Sequence, residues 1–163
     1  MFTAAQHVYC EYQHSHNPQT PAGVYDYSMA PFCCDFYVLD LRGQRAFARP
    51  RDRILGAAQH ARFQAWRASL ASSGRNGPIF IVSSVPTVHL RDFVIDATDR
   101  FNIQGGRDDV RDHWAHGENK AEISRLFDAM FMTAEQTGRP LVILSGDVHI
   151  ATVFSPRHPA YPN

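Results

Sequence analysis

Leu141-Val142-Ile143-Leu144-Ser145-Gly146-Asp147-Val148-His149 is an apolar run that stops at a glycine and then presents a carboxylate and an imidazole two residues apart. Leu141 to Leu144 read as a strand covered on both faces, and Gly146 lets the backbone turn sharply where an ion or substrate comes close. Alternate side chains of an extended chain point the same way, so Asp147 and His149 converge on one point if the backbone stays extended through Val148. A carboxylate oxygen and a neutral imidazole nitrogen are donors that zinc, iron and manganese accept. In isolation an Asp-x-His has a plainer reading, a turn cap followed by a half-buried histidine.

Around this stretch the chain reads as α/β. Asp35 to Leu41 alternates, with Phe36, Val38 and Asp40 on one face and Tyr37, Leu39 and Leu41 on the other; Gly43-Gln44 then offers a hairpin turn into Arg45 to Ala48. From Ala57 to Ser72 apolar residues recur at helical spacing, closed by Ser72-Ser73-Gly74, and a strand follows at Ile79 to Ser84. Residues 86–117 form a long, charged stretch with little period, read as a loop. A helix from Glu118 or Asn119 to Thr137 carries a broad stripe of Ala121, Ile123, Leu126, Phe127, Met130, Phe131 and Ala134, and it stops at Gly138 and Pro140. Ile150 to Phe154 reads as a returning strand. Residues 1–31 are an irregular lead-in, a loop or short helix and then extended chain.

Sixteen basic and sixteen acidic residues cancel, which argues against a nucleic-acid or membrane partner. No apolar run reaches the ~20 residues of a membrane span, and the start lacks a basic and apolar signal; localisation defaults to the cytoplasm, with export of a parent protein left open. The three cysteines make no Cys-x-x-Cys pattern, and the adjacent Cys33 and Cys34 read as buried or free thiols.

Four segments, in order, carry a family resemblance. They are Phe36 to Arg42 with Gln44-Arg45; Ile54-Leu55-Gly56 and Gln59, with Phe63 and Trp66; Pro78 to Pro86, ending Ser83-Ser84-Val85-Pro86; and Asp112-His113-Trp114 followed by Asn119, Glu122 and Arg125. Together with Ser145 to His149 they resemble the alkaline phosphatase D (PhoD-like) branch of the calcineurin-type metallophosphoesterases. The resemblance spans residues from about 36 to 155. It implies the second half of a two-sheet β-sandwich flanked by helices, two metal ions (iron, calcium, manganese or zinc) and hydrolysis of a phosphate monoester or diester. Under it, Asp147 and His149 are metal ligands, one to each ion or both near the bridge. Arg42 is a candidate phosphate clamp, its planar fork matching phosphate oxygens, or else the partner of a neighbour such as Asp40. Asp112 and His113 contact substrate or leaving group, or else anchor a loop in which Trp114 packs and Asp112 caps.

The resemblance is incomplete. The amino-terminal metal motifs of that family are absent: of the 10 glycines only Gly146 is followed by aspartate. The expectation is therefore one partial metallophosphatase domain over residues 1–163, a truncated product, a fragment or one piece of a split protein, with the sheet surface that absent strands would cover left exposed. A non-catalytic remnant or subunit module that needs a partner chain or a missing amino-terminal segment is the second expectation. A serine hydrolase finds little support, since Ser145-Gly146-Asp147 is no Gly-x-Ser-x-Gly elbow. His14 and His16 have strand-like ligand spacing in a polar stretch that reads as exposed loop.

Overall fold

A computed structural model describes residues 2–43, 45, 54–87, 114, 117–146, 153, 155–157 and 159–161. The described chain is mixed α/β: helix α1 (Phe2–Tyr12), a single 3-10 turn (His14–His16), strands β1 (Tyr27–Met29) and β2 (Asp35–Val38), helix α2 (Gly56–Leu70), strand β3 (Ile79–Ser83), a second 3-10 turn (Gly117–Asn119), helix α3 (Lys120–Thr137) and strand β4 (Leu141–Ser145). The four strands form one sheet in the order β1-β2-β3-β4. β2, β3 and β4 run parallel, with Val38, Val82 and Leu144 on one rung, and β1 pairs antiparallel to β2.

That order determines where the helices go. A parallel crossover is right-handed in nearly all proteins, so two successive crossovers that step the same way across a sheet lay both helices on the same face. Phe63 of α2 and Leu126, Ala129 and Met130 of α3 accordingly share one core with Tyr37, Ile81 and Trp114, against which Leu141 and Ile143 also pack. Tyr37, Phe63 and Trp66 meet ring to ring, Tyr37 edge-on to Phe63 at 5.2 Å between centroids. On the other face stand Met29, Phe36, Phe80 and Val142 on one rung and Tyr27, Val38, Val82 and Leu144 on the next. None of these eight belongs to the core. Val142 is 38% exposed and Leu144 45%.

The reading of β4 as a strand covered on both faces is thereby corrected. An apolar run establishes that a strand is apolar on both sides, but only the crossover pattern decides which side is covered. β2 is also shorter than the alternation of 35–41 suggests, because at Asp40 the backbone leaves the ladder for a turn: the carboxylate Oδ1 accepts the amides of Arg42 at 3.0 Å and Gly43 at 2.7 Å. Asp40 is consequently buried with Leu39 and Leu41 instead of lying with Phe36 and Val38. The helix ends follow the sequence more closely. Gly138 takes φ +64°, the left-handed value that glycine tolerates, and its amide caps the carbonyl of Ala134 at 2.9 Å.

At the amino ends of the parallel strands sits an ion knot. Asp35, 1% exposed, accepts from Arg75 Nε at 2.8 Å and from Arg139 at 2.7 Å, while Arg139 Nε donates to the Gly77 carbonyl at 2.6 Å. Burial pushes the Asp35 carboxyl up, but its bonds to Arg75 and Arg139 outweigh this and hold it below the usual carboxylate value. No helix among the described residues is long and apolar enough to cross a membrane.

Candidate functional site

In a parallel sheet, ligands are bound outside the carboxyl ends of the strands, where loops rather than a closed ladder meet solvent. Here that edge is made by the residues following β2, β3 and β4. Leu39 donates to the Val82 carbonyl at 2.9 Å and Gly146 to the Ser83 carbonyl at 3.3 Å, so the ladder runs just past the ends of the strands before the chains part. Ser145, the last residue of β4, stands on the rung of Ser83, and Gly146 follows it. Three of the segments that carry the family resemblance therefore leave the sheet side by side.

Side chains from the helices hold these departures in place. Gln59, fully buried on α2, brackets Asp40: its Oε1 accepts the Asp40 amide at 2.8 Å and its Nε2 donates to the Asp40 carbonyl at 2.7 Å. Glu122, 4% exposed on α3, accepts the amides of Ile54 at 2.9 Å and Leu55 at 2.7 Å, immediately before α2 begins. Leu55, which precedes the helix, makes no side-chain cap of its own. A carboxylate from another helix supplies what the local sequence lacks, at the end of α2 where the helix dipole favours negative charge. The two anchors thus tie the β2 turn to α2 and the start of α2 to α3.

Arg42 is the one candidate site residue among those described. It is exposed, it follows the Asp40 turn, and no ion pair joins it to Asp40: the Asp40 carboxylate takes the Arg42 amide, not its guanidinium. Asp40 Oδ1 accepts two backbone amides. Asp112, His113, Asp147 and His149 lie outside the described residues, as do most of the long loop and of the expected returning strand. Trp114, next to Asp112 and His113, is fully buried in the core. Ser83 is buried and donates its hydroxyl to the Val85 carbonyl at 2.5 Å, anchoring the turn after β3. His14 and His16 stand in a 3-10 turn, not a strand; His14 lies 3.1 Å from Thr20 Oγ1 and stacks on Tyr9. No group of three or more histidine, cysteine or acidic side chains converges among the described residues, and of Asp40 only Oδ2 remains unbonded.

Gln59 and Glu122 were visible in the sequence only as members of a resemblance. Nothing in local pattern marks them as anchors, because their partners lie 19 and up to 68 residues away. Comparison of the chain with family models, with curated proteins and with solved structures finds no match.

Proposed function

We propose that the chain is the carboxyl-terminal part of a PhoD-like metallophosphatase domain, with phosphate-ester hydrolysis as its chemistry and Asp147 and His149 as metal ligands. The observation that carries this reading is the convergence at the carboxyl edge of the sheet. Leu39 bonds the Val82 carbonyl and Gly146 the Ser83 carbonyl, so the ends of β2, β3 and β4, from which the Asp40-Arg42 turn, Ser84 and Gly146 continue, stand side by side. Those are the segments that resemble the family, and the further motif residues Gln59 and Glu122 brace the same edge.

In this reading Asp147 and His149 hold metal, and Arg42, exposed and unpaired with Asp40, binds phosphate oxygens through its fork. A metal centre held by Asp147 and His149 would lower the pKa of a bound water toward neutral and offset charge on the phosphate oxygens. Asp112 and His113 are proposed to face the leaving group, and Trp114 beside them is buried in the core. The remaining sandwich strands and metal ligands belong to a segment or partner outside these 163 residues.

The test is metal content by elemental analysis of the monodisperse chain, with hydrolysis of bis(p-nitrophenyl) phosphate in iron, calcium, manganese and zinc. On the chain alone, weak metal binding lost in Asp147→Ala and His149→Ala is expected, and hydrolysis only once the missing ligands are supplied, weakened there in Arg42→Ala. Metal retained in both ligand variants would sink the assignment. The open sheet face favours a second reading, a non-catalytic module that docks on a partner layer. Absent metal and absent hydrolysis, together with a chain that associates through that face, would shift the choice to it.

A further inference from the structure

Cys33 and Cys34 lie on neither the candidate edge nor the core, and the fold presents them unusually. In an extended chain neighbouring side chains point to opposite sides. Here residues 31–34 form a turn, with the Cys34 amide donating to the Pro31 carbonyl at 3.2 Å and Phe32 at φ +57°, a left-handed value rare for a bulky residue. The turn brings the two Sγ atoms to the same side, 4.0 Å apart. It is also pinned: Gly77 donates to the Cys33 carbonyl at 3.0 Å and Asp35 to the Pro78 carbonyl at 3.2 Å. Position 77 must be glycine for this, since a Cβ there would stand 2.6 Å from the Cys33 carbonyl oxygen and 2.7 Å from its Sγ. Both thiols are free, Cys33 is exposed and Phe32 beside it is fully exposed, so the pair faces solvent.

A direct disulfide suits this geometry poorly. Consecutive Cα atoms are about 3.8 Å apart across a trans peptide, short of the roughly 4.4 Å at which unstrained bridges begin. A single larger atom between the sulfurs spans the pair without that strain. We propose that Cys33 and Cys34 form a bidentate dithiol site for a trivalent arsenical, a thiophilic Lewis acid that takes two sulfur donors at one centre.

With phenylarsine oxide as the probe, two As–S bonds form and the As=O bond breaks. The oxygen leaves as water with the two thiol protons; arsenic stays trivalent, both sulfurs stay reduced, and no oxidant is needed. Burial, and then the neighbouring Cys33 thiol, push the Cys34 thiol up.

Intact-protein mass spectrometry with one equivalent of phenylarsine oxide in excess 2-mercaptoethanol tests the site. One adduct is expected, surviving the monothiol, removed by 2,3-dimercaptopropanol, absent in Cys33→Ser and Cys34→Ser and retained in Cys10→Ser. The folded chain should also require about tenfold more dimercaptopropanol for release than the chain in urea, because the pinned turn preorganises the donors. An adduct that persists in either single variant, depends on Cys10, or fails to form would overturn the assignment. Equal release from folded and unfolded chain would overturn the role of the turn. Circular dichroism of the serine variants keeps loss of the adduct separate from loss of the fold.

Discussion

The two faces of the sheet are built from the same strands and nearly the same residue types, yet they are used in opposite ways. Tyr37, Ile81, Leu141 and Ile143 meet α2 and α3 in a shared core, whereas Phe36, Phe80, Val142 and Leu144 one residue along do not. The open face is itself organised, with Phe36 and Phe80 stacked at 4.5 Å between centroids and 14° between planes. The difference comes from connectivity, not from composition: two crossovers stepping the same way put α2 and α3 on one face, and among the described residues no helix lies on the other. An apolar face of this kind is a surface waiting for another layer, as the sandwich reading and the partner reading both require.

Variants separate the two faces by size of effect. Asp35→Asn should cost the most, about 3–5 kcal/mol at neutral pH, since it leaves the buried Arg139 charge without its partner. Its pH signature is specific. The folded Asp35 pKa lies below the unfolded one, so its contribution is fully present above the unfolded value of about 3.9 and is lost as pH falls through the folded value. Urea midpoints measured from pH 7 downward should fall steeply on the acid side in the wild type, with that component missing in Asp35→Asn. Equal acid slopes would remove the ion knot from the account of stability.

Ile81→Ala on the covered face should lose about 2–5 kcal/mol, read from urea unfolding. Glu122→Gln keeps the shape but offers one acceptor where two amides need one each, and should cost about 1–3 kcal/mol. Were it neutral, water rather than Glu122 would be satisfying Ile54 and Leu55. Smallest of all is the paired change Val142→Lys with Leu144→Lys, expected to shift stability by under about 1 kcal/mol while lowering self-association in sedimentation. A loss matching Ile81→Ala would mean that the open face is covered in solution by the chain itself.

The sequence announces the covered half of this fold better than the rest. α2 and α3 are legible because a core stripe repeats at helical period, and β2 and β3 because alternating or apolar runs end in turn residues. β1 is illegible: Tyr27 to Met29 is too short to show a period and exists by pairing with β2. α1 is left between loop and helix because its buried stripe is weak; Val8 and Tyr12 are 54% and 66% exposed. At the candidate site, Arg42 was legible as a strand-end cation, but the turn in which Asp40 Oδ1 takes the amides of Arg42 and Gly43 was not. Gln59 and Glu122 show why: a side chain that bonds distant backbone leaves no periodic trace.

The Asp35 knot joins residues that begin different strands: Asp35 opens β2, Gly77 precedes β3, and Arg139 precedes β4, 104 residues from its aspartate. It can close only after both crossovers have docked, which makes it a late contact in folding, dependent on slow, long-range parallel pairing. A chain halted before that step has unpaired arginines and an unpartnered aspartate where the native one has none, so chain assembly and acid sensitivity converge on one carboxylate.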